Sequence, residues 1–455
     1  MDDLPNVIII IVDTLRKDYA KPLEDGLTKI GFVSYENAIA PAPWTIPSHA
    51  SIFTGLYPAF HGAHETKNKK IPHVRLVKTD NLITFRLKEL GYENILLTAN
   101  FFVHPQFGFM GFDHVYYIPP VLEPSLLSKT EKESLQKIIE ENKNDLIGIT
   151  KSLLHDKQYK LFIKGSIQYL VSKFYRYFSA IFKNWPTEKG ITQIIDYLDK
   201  YLKKRGELRR SNNFIFINLI EMHEPYFVHD DLKILSEHLK TNILDMDVAA
   251  KWRIKYDNEV IYVTKKIINL IEVLKKHKIF DNSLIIVTSD HGQLLGEHRR
   301  IGHGNFLYDE LLRVPLLIKY PKDAPITSKS IGNFQTWISL TCLKYFILSL
   351  IEGHSKSDEL LFTDIAFSES YGIAGKVSWL TEKEKKNIEQ LEKYRIAVYY
   401  KNFKGIFNVE EWRFEEIISY DPKTEISENI MNHMKKEVLK FLKTATVAKV
   451  PKIKI

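Results

Sequence analysis

A chain of 455 residues, 44% of them apolar, carries enough hydrophobic side chains for a large buried core, which excludes a disordered or fibrous protein and leaves one big domain or two. Lysine and arginine outnumber aspartate and glutamate 64 to 56, and the resulting charge of +8 favours anionic partners without marking a nucleic-acid binder. Cys342 is the single cysteine, so an intramolecular disulfide framework is excluded and a reducing compartment is expected.

The chain opens with MDDLPNVIIIIVDT. Its apolar run, Val7–Val12, is too short to span a membrane and lacks a basic flank or a small-residue cleavage site. It reads as a buried strand, and the protein is expected in the cytoplasm. Further runs with the length and composition of central parallel strands are Ile95–Thr98, Phe214–Leu219 and Ser283–Thr288, with a fifth at Pro315–Tyr320. Helical patterns lie between them. Thr79–Leu90 stops at Gly91, and Arg253–His277 repeats Val260, Val263, Ile267, Ile271 and Leu274 at helical spacing. Strands alternating with helices imply a doubly wound, mostly parallel sheet flanked by helices, in residues 1–320.

Residues 121–185 break this pattern. The stretch is Lys-rich, with Tyr169, Phe174, Tyr175, Tyr177, Phe178 and Phe182, and is expected to form a helical insertion with its aromatics packed inward. Basic residues with interleaved aromatics also suit peripheral contact with a membrane surface or lipid. Residues 321–455 are expected to form a smaller α+β region. Its strands would be Ile365–Ser368, Arg395–Tyr400 and Ile406–Asn408, with a helical, basic end.

In open α/β sheets ligands bind at the carboxyl ends of the strands. Two strands here end in acids: Val7–Val12 runs into Asp13, and Ser283–Thr288 into Ser289-Asp290-His291-Gly292. Different strands thus bring Asp13, Asp290 and His291 to one edge. A third segment, Pro41-Ala-Pro-Trp-Thr45-Ile-Pro-Ser-His49, runs from a Pro-punctuated loop into a helix start, where N–H groups and the helix dipole favour an anion.

At these points, in this order, the chain resembles the sulfatase branch of the alkaline-phosphatase superfamily. Asn6–Arg16 is similar to that family's first strand and metal-binding turn, and Trp44–Gly55 to its nucleophile segment. Tyr256–Thr264 is similar to the helix before its second metal strand, while Asn282–His298 and Gly302–Tyr320 match its C-terminal signature. The resemblance covers most of residues 5–118 and 186–322. It implies the same doubly wound fold and one divalent cation (Mn²⁺, Zn²⁺, Mg²⁺ or Ca²⁺) held by Asp13, Asp290 and His291, with Thr45 completing the shell. Metal coordination is a recognised way to activate a hydroxyl nucleophile.

The departures from the family pattern sharpen the expectation. Family sulfatases carry Cys or Ser followed by Pro and Arg, and convert the Cys or Ser to formylglycine; here the positions are Thr45, Pro47 and His49. Threonine cannot yield that aldehyde, so no formylglycine is expected. Thr14 stands where a second acid is usual, and the family's Lys and His near the next helix end are replaced around Thr98-Ala-Asn100. Threonine nucleophiles occur in phosphodiesterase and phosphoethanolamine-transferase relatives, which favours phosphorus chemistry on a small anionic ester.

By the same resemblance His223 falls near the leaving group as a candidate general acid. His303 falls where the family contacts the substrate anion, His49 could do part of the missing Arg's work, and Asn100 could bind substrate. His61, His64 and His298 read as structural. Glu221, His223 and His303 are considered for a second cation, but their spacing does not match two-metal relatives, which favours a mononuclear site. The leading expectation is a phosphate (or sulfate) ester hydrolase. The alternatives are a phosphotransferase of phosphoethanolamine-transferase type and an inactive anion-binding relative.

Overall fold

The computed structural model describes residues 4–445, apart from 78–79, 120–126, 143–144, 182–187, 207–211, 227–229, 323–335, 355–356 and 378–379. Seven strands form the main sheet: β1 (Asn6–Val12), β2 (Val33–Tyr35), β3 (Glu93–Thr98), β4 (His114–Tyr117), β5 (Asn213–Leu219), β6 (Ser283–Thr288) and β7 (Leu316–Lys319). Their order is β2-β7-β6-β1-β5-β3-β4. β6, β1, β5 and β3 run parallel, as expected, and β4, which was not anticipated, continues the parallel order. The fifth expected strand, Pro315–Tyr320, corrects that reading: it is β7, and it pairs antiparallel with both β6 and β2.

The central strands lack polar alternation because helices cover both faces of the sheet. Ile8, Ile10, Val12, Ile215, Ile217, Ile285 and Val287 point into one core, against Val260, Val263, Ile267 and Ile271 of the long helix Met246–Lys276. Val7, Ile9, Ile11, Phe214, Phe216, Leu284 and Ile286 point into the other, against Ile46, Ala50 and Phe53 of helix α1 (Thr45–Thr54). All ten residues of α1 are buried. It begins after extended Trp44 and ends at Gly55, whose φ of 71° lets its N–H return to the Ser51 carbonyl. The helix expected over Thr79–Leu90 is shorter, Ile83–Glu89, and Thr79 lies outside the described residues.

The insertion is helical: α2 (Lys129–Glu141), α3 (Leu146–His155) and α4 (Tyr159–Ile181) share a small core of their own, Leu127, Ile138, Leu153 and Leu161. Tyr169 is 54% exposed, so it does not pack inward as expected. Phe182 and the side chains of Phe174, Tyr175, Tyr177 and Phe178 lie outside the described residues. No helix among the described residues is long and apolar enough to cross a membrane.

Beyond residue 321 the chain first returns to the main body. Ile338–Ser339 pairs with Ala38–Ile39, and Leu343, Phe346 and Ile347 join the core around α1. An antiparallel sheet follows: β8 (Ile365–Ser370), β9 (Arg395–Tyr400), β10 (Phe403–Asn408) and β11 (Arg413–Ser419). Its one face holds the terminal helix Glu428–Thr444 through Met434, Val438 and Phe441. Its other face packs Ala397, Tyr399 and Ile406 on Leu294, Leu307 and Leu311 from the region after β6.

Candidate metal centre

Asp13 leaves the end of β1 with its N–H on the Leu219 carbonyl at the end of β5. The next residue, Thr14, takes a left-handed φ of 63° and donates its N–H to Asp290 Oδ1 at 3.3 Å. Its carbonyl accepts the Tyr256 hydroxyl at 2.6 Å, and Tyr256 in turn accepts the Arg16 N–H. One helical tyrosine therefore clamps the turn that aims Asp13. Asp290 leaves the neighbouring β6, and its carbonyl accepts Ser48 Oγ of α1 at 2.6 Å. Two strand ends and one helix start thus converge.

Asp13, Asp290 and His291 are fully buried. His291 Nε2 lies 3.3 Å from Asp290 Oδ2 and 3.7 Å from Asp13 Oδ1. None of these three atoms has a hydrogen-bond partner among the described residues. Three orphaned, buried donors facing one another would cost several kcal/mol left alone, and they suit a divalent cation. His291 Nδ1 sits 3.0 Å from the Gly292 carbonyl, a contact that leaves Nε2 as the lone-pair donor. Electrostatics agree. Burial, reinforced by Asp290, pushes the Asp13 carboxyl well above its ordinary range. Burial also raises Asp290, but the His291 and His49 rings and the Thr14 N–H outweigh it and hold that carboxyl down. Burial pushes His291 down to about 3, so its imidazole is neutral and can ligate.

Thr45 is the first residue of α1, 3% exposed, and its hydroxyl makes no hydrogen bond among the described residues. No side chain caps the helix. Beside the cluster stand His223 and His303, with ring centroids 4.8 Å apart, and His303 is 4.7 Å from His291. Glu224 and Gln293, which the sequence reading did not single out, hold this pair. His303 Nδ1 meets Gln293 Oε1 at 2.9 Å, Gln293 Nε2 donates to Glu224 Oε2 at 2.9 Å, and His223 Nδ1 lies 2.5 Å from the Glu224 carbonyl. Burial lowers the His303 pKa, but the Glu224 carboxylate outweighs it and leaves the ring more basic than usual. Their positions beside His223 and His291 are the one trace of this in the sequence: Glu224 follows His223, and Gln293 lies two residues after His291.

Two expected residues, Asn100 and His49, stand elsewhere than supposed, and Glu221 lies away from the cluster. Asn100 does not reach toward a substrate: its Nδ2 donates to Asp13 Oδ2 at 2.6 Å and its Oδ1 accepts the Phe102 N–H at 2.8 Å. His49 is 0% exposed, beneath Asp290 at 3.4 Å, with its Nδ1 at the Thr45 carbonyl and its Nε2 beside Asn218. It cannot replace a substrate-facing arginine, but it can steady Asp290. Glu221 turns away to accept the Ile191 N–H at 2.8 Å. His61 on Ser51, His64 stacked on Tyr371 and His298 stacked on Tyr308 make local contacts, as expected of structural histidines.

The family model for sulfatases matches residues 5–334. The chain is a member of the sulfatase family. Part of this sulfatase-family chain is 43% identical over 63 residues to an N-acetylglucosamine-6-O-sulfatase of Bacteroides thetaiotaomicron, covering 14% of the chain and 11% of that protein. A longer stretch is 27% identical over 135 residues to an endo-4-O-sulfatase of the same organism, covering 27% of the chain and 26% of that protein. The chain thus matches only a minor part of either relative. Whole-chain likeness comes from solved structures. A phosphonate monoester hydrolase from Silicibacter pomeroyi superposes with a TM-score of 0.59 at 15% identity, covering 97% of this chain and 96% of that one. A structure described as a putative sulfatase from Bacteroides thetaiotaomicron gives 0.61 at 14% identity, covering 98% and 93%.

Proposed function

We propose that this protein hydrolyses phosphate esters through Thr45. The observation that carries the reading is Thr45 itself: a hydroxyl with no hydrogen-bond partner among the described residues, at the uncapped start of a buried helix whose Ser48 and His49 meet Asp290. Asp13, Asp290 and His291 would hold the divalent cation, with Thr45 Oγ1 as a further ligand. When bound, such a cation lowers the pKa of a coordinated hydroxyl and neutralises charge on a phosphoryl group.

The chain's own residues account for the remaining work. The N–H groups at the start of α1 and the basic ring of His303 receive the phosphoryl oxygens. Thr45 Oγ1, its proton lost to solvent, bonds to phosphorus as the ester P–O bond breaks, and the leaving oxygen takes a proton from His223. In the second half a water gives its proton to His223 and its oxygen to phosphorus, and the Thr45–phosphate bond breaks. Asn100 and His49 keep Asp13 and Asp290 aimed throughout. Because threonine cannot become formylglycine, the phosphoryl route suits this chain better than the aldehyde-hydrate route to sulfate esters.

The test is turnover of an aryl phosphate, a bis-aryl phosphate, a phosphonate ester and an aryl sulfate by wild type, Thr45→Ser and Thr45→Ala, with added Mn²⁺ or Zn²⁺ and with EDTA. Metal-dependent phosphoester turnover that survives in Thr45→Ser and falls on the order of a thousandfold or more in Thr45→Ala is expected. Turnover of the sulfate alone, or full activity in Thr45→Ala, sinks the reading. Phosphoryl transfer to an added alcohol without hydrolysis would instead mark a phosphotransferase.

A further inference from the structure

A cleft of about 640 Å³ lies between the helices Asp230–Thr241 and Glu382–Leu391 and the strands of the C-terminal sheet, a size typical of small-molecule sites. Arg300 reaches its wall from the turn after His298 and stacks on Phe306, with Cζ 4.0 Å from the ring centre. The other cations of the wall have carboxylate partners: Lys393 and Arg413 meet Glu411, and Arg395 meets Glu415. Arg300 has none among the described residues, and Glu416, the remaining acid of the wall, is exposed to water. Arg395 stands close enough to repel Arg300, is itself 6% exposed, and keeps a buried Nη1 without a hydrogen-bond partner. Burial lowers the Arg300 pKa, and Arg395 adds to that against the pull of Tyr308. Neighbouring guanidiniums with no anion between them are destabilising, and a bound oxyanion would offset this. The same wall also reaches the candidate centre. Leu239, Arg300, Phe306 and Leu391 line a smaller gap together with His303, which is three residues, at most about 11 Å, along the chain from Arg300.

We propose that the Arg300–Phe306 wall of this cleft binds an oxyanion of phosphate or sulfate type, separate from the group that meets Thr45. Arg300 offers paired N–H donors in one plane, Phe306 holds that plane in place, and Arg395 adds its charge. Two sources share this chemistry: a second anionic group on the leaving portion of the substrate, or a free anion. Nearness to His303 favours the first. That link to turnover rests on the preceding reading of Thr45 and His303, whereas the binding itself does not.

The experiment titrates inorganic phosphate into metal-loaded, desalted full-length protein by calorimetry, comparing wild type, Arg300→Gln and Asp290→Asn. Thermal melting checks that each is folded, and Arg300→Gln should melt no lower than wild type without phosphate, because it removes an unpaired charge. Arg300→Gln is expected to bind one phosphate fewer per chain than wild type, while Asp290→Asn keeps the phosphate that Arg300→Gln loses. Equal binding by wild type and Arg300→Gln overturns the proposal, as does no binding by wild type. A phosphate lost alike in Arg300→Gln and Asp290→Asn belongs to the metal centre, and also overturns it. If Arg300→Gln does not fold, modification of Arg300 by phenylglyoxal in wild type decides: phosphate should slow it at least about tenfold, and an unchanged rate sinks the proposal. Turnover then separates the sources. Alkyl phosphates ending in a sulfonate should have a lower KM than plain ones, a preference lost in Arg300→Gln if the anion belongs to the substrate and absent from both proteins if it is free. No turnover of any ester sinks the Thr45 reading and leaves the titration to judge this one.

Discussion

Gly292, directly after His291, has no room for a side chain. A Cβ there would lie 2.0 Å from the Glu310 carbonyl oxygen and 3.1 Å from Arg16 Cγ, and the Gly292 N–H is already bound to the Leu311 carbonyl. A methyl group must push the turn off the Glu310 backbone, and the turn carries Asp290 and His291, two of the residues proposed to hold the cation. Gly292→Ala is therefore expected to cost about 1–3 kcal/mol, as overpacking does, and to weaken cation binding as well. Urea melts together with a Zn²⁺ titration check this, and unchanged affinity would show that the turn absorbs the strain without moving His291. At this scale the sequence is legible where strand ends and motifs coincide. Asp13, Asp290 and His291 converge as read, and Thr45 opens its helix. Glu224 and Gln293 escaped because single polar residues beside a motif carry no signal of where their side chains turn. Asn100 and His49 were misjudged for a related reason. A polar residue near a site can serve the substrate or the ligands, and only burial and partners separate the two.

Among the elements, β7 shows where sequence patterns lose information. Its run is as apolar and as fully buried as the parallel strands, and burial on both faces erases the alternation that would distinguish an edge from a centre. Direction follows from the connection instead. The segment from Ser289 to Pro315 contains the small hairpin Leu294–Leu295/Ile301–Gly302, the 3-10 turn Glu297–Arg299 and the short helix Asp309–Leu312, but no long crossover helix, so the chain comes back beside β6. The insertion was legible as helical because its periodicity is local. Its outward face was not, since an apolar residue on a helix does not say which neighbour covers it. In α4, Ile163, Ile167 and Leu170 are 55%, 44% and 62% exposed, so their burial contributes little to folding. Replacing all three by serine should leave the midpoint of thermal unfolding within the roughly 0.5 kcal/mol per site typical of surface changes. A larger loss would mean that this face is covered in the folded protein.

The molecule as a whole is stitched together by buried acids. Glu369 of β8 accepts the Ala59 N–H and the hydroxyls of Tyr371 and Tyr394, while Glu65 accepts the Trp44 indole N–H and the Tyr371 N–H. These bonds join the C-terminal sheet to the loops on either side of α1. Burial pushes Glu65 and Glu369 up to about 7, from an ordinary value of 4.5. The sign follows directly. Below about pH 4.5 both states hold the proton and no penalty exists; between there and pH 7 the unfolded chain sheds a proton that the folded chain keeps. Stability therefore falls as pH rises through that window, by about 3 kcal/mol per acid at pH 8. Glu369→Gln should flatten this slope and be the more stable form at pH 8 but not at pH 4. Denaturant melts at the two pH values measure it, and equal slopes would rule the assignment out. None of this stitching shows in the sequence, because contacts across some three hundred residues of chain leave no local pattern.

The strands that deliver Asp13 and Asp290 are buried along their whole length on both faces, with no residue of β1 or β6 open to water. Such strands have no local opening of their own, so the cluster of Asp13, Asp290 and His291 cannot come apart without the protein unfolding. With the proposed cation on these residues, occupancy and folding become one equilibrium. Free ion at a hundred times its dissociation constant should add about 2.7 kcal/mol to global stability, and EDTA should remove it. Amide hydrogen exchange gives the finer reading: on chelation, protons along β1 and β6 should all speed up by the same factor as global unfolding, rather than faster at their carboxyl ends beside the ligands.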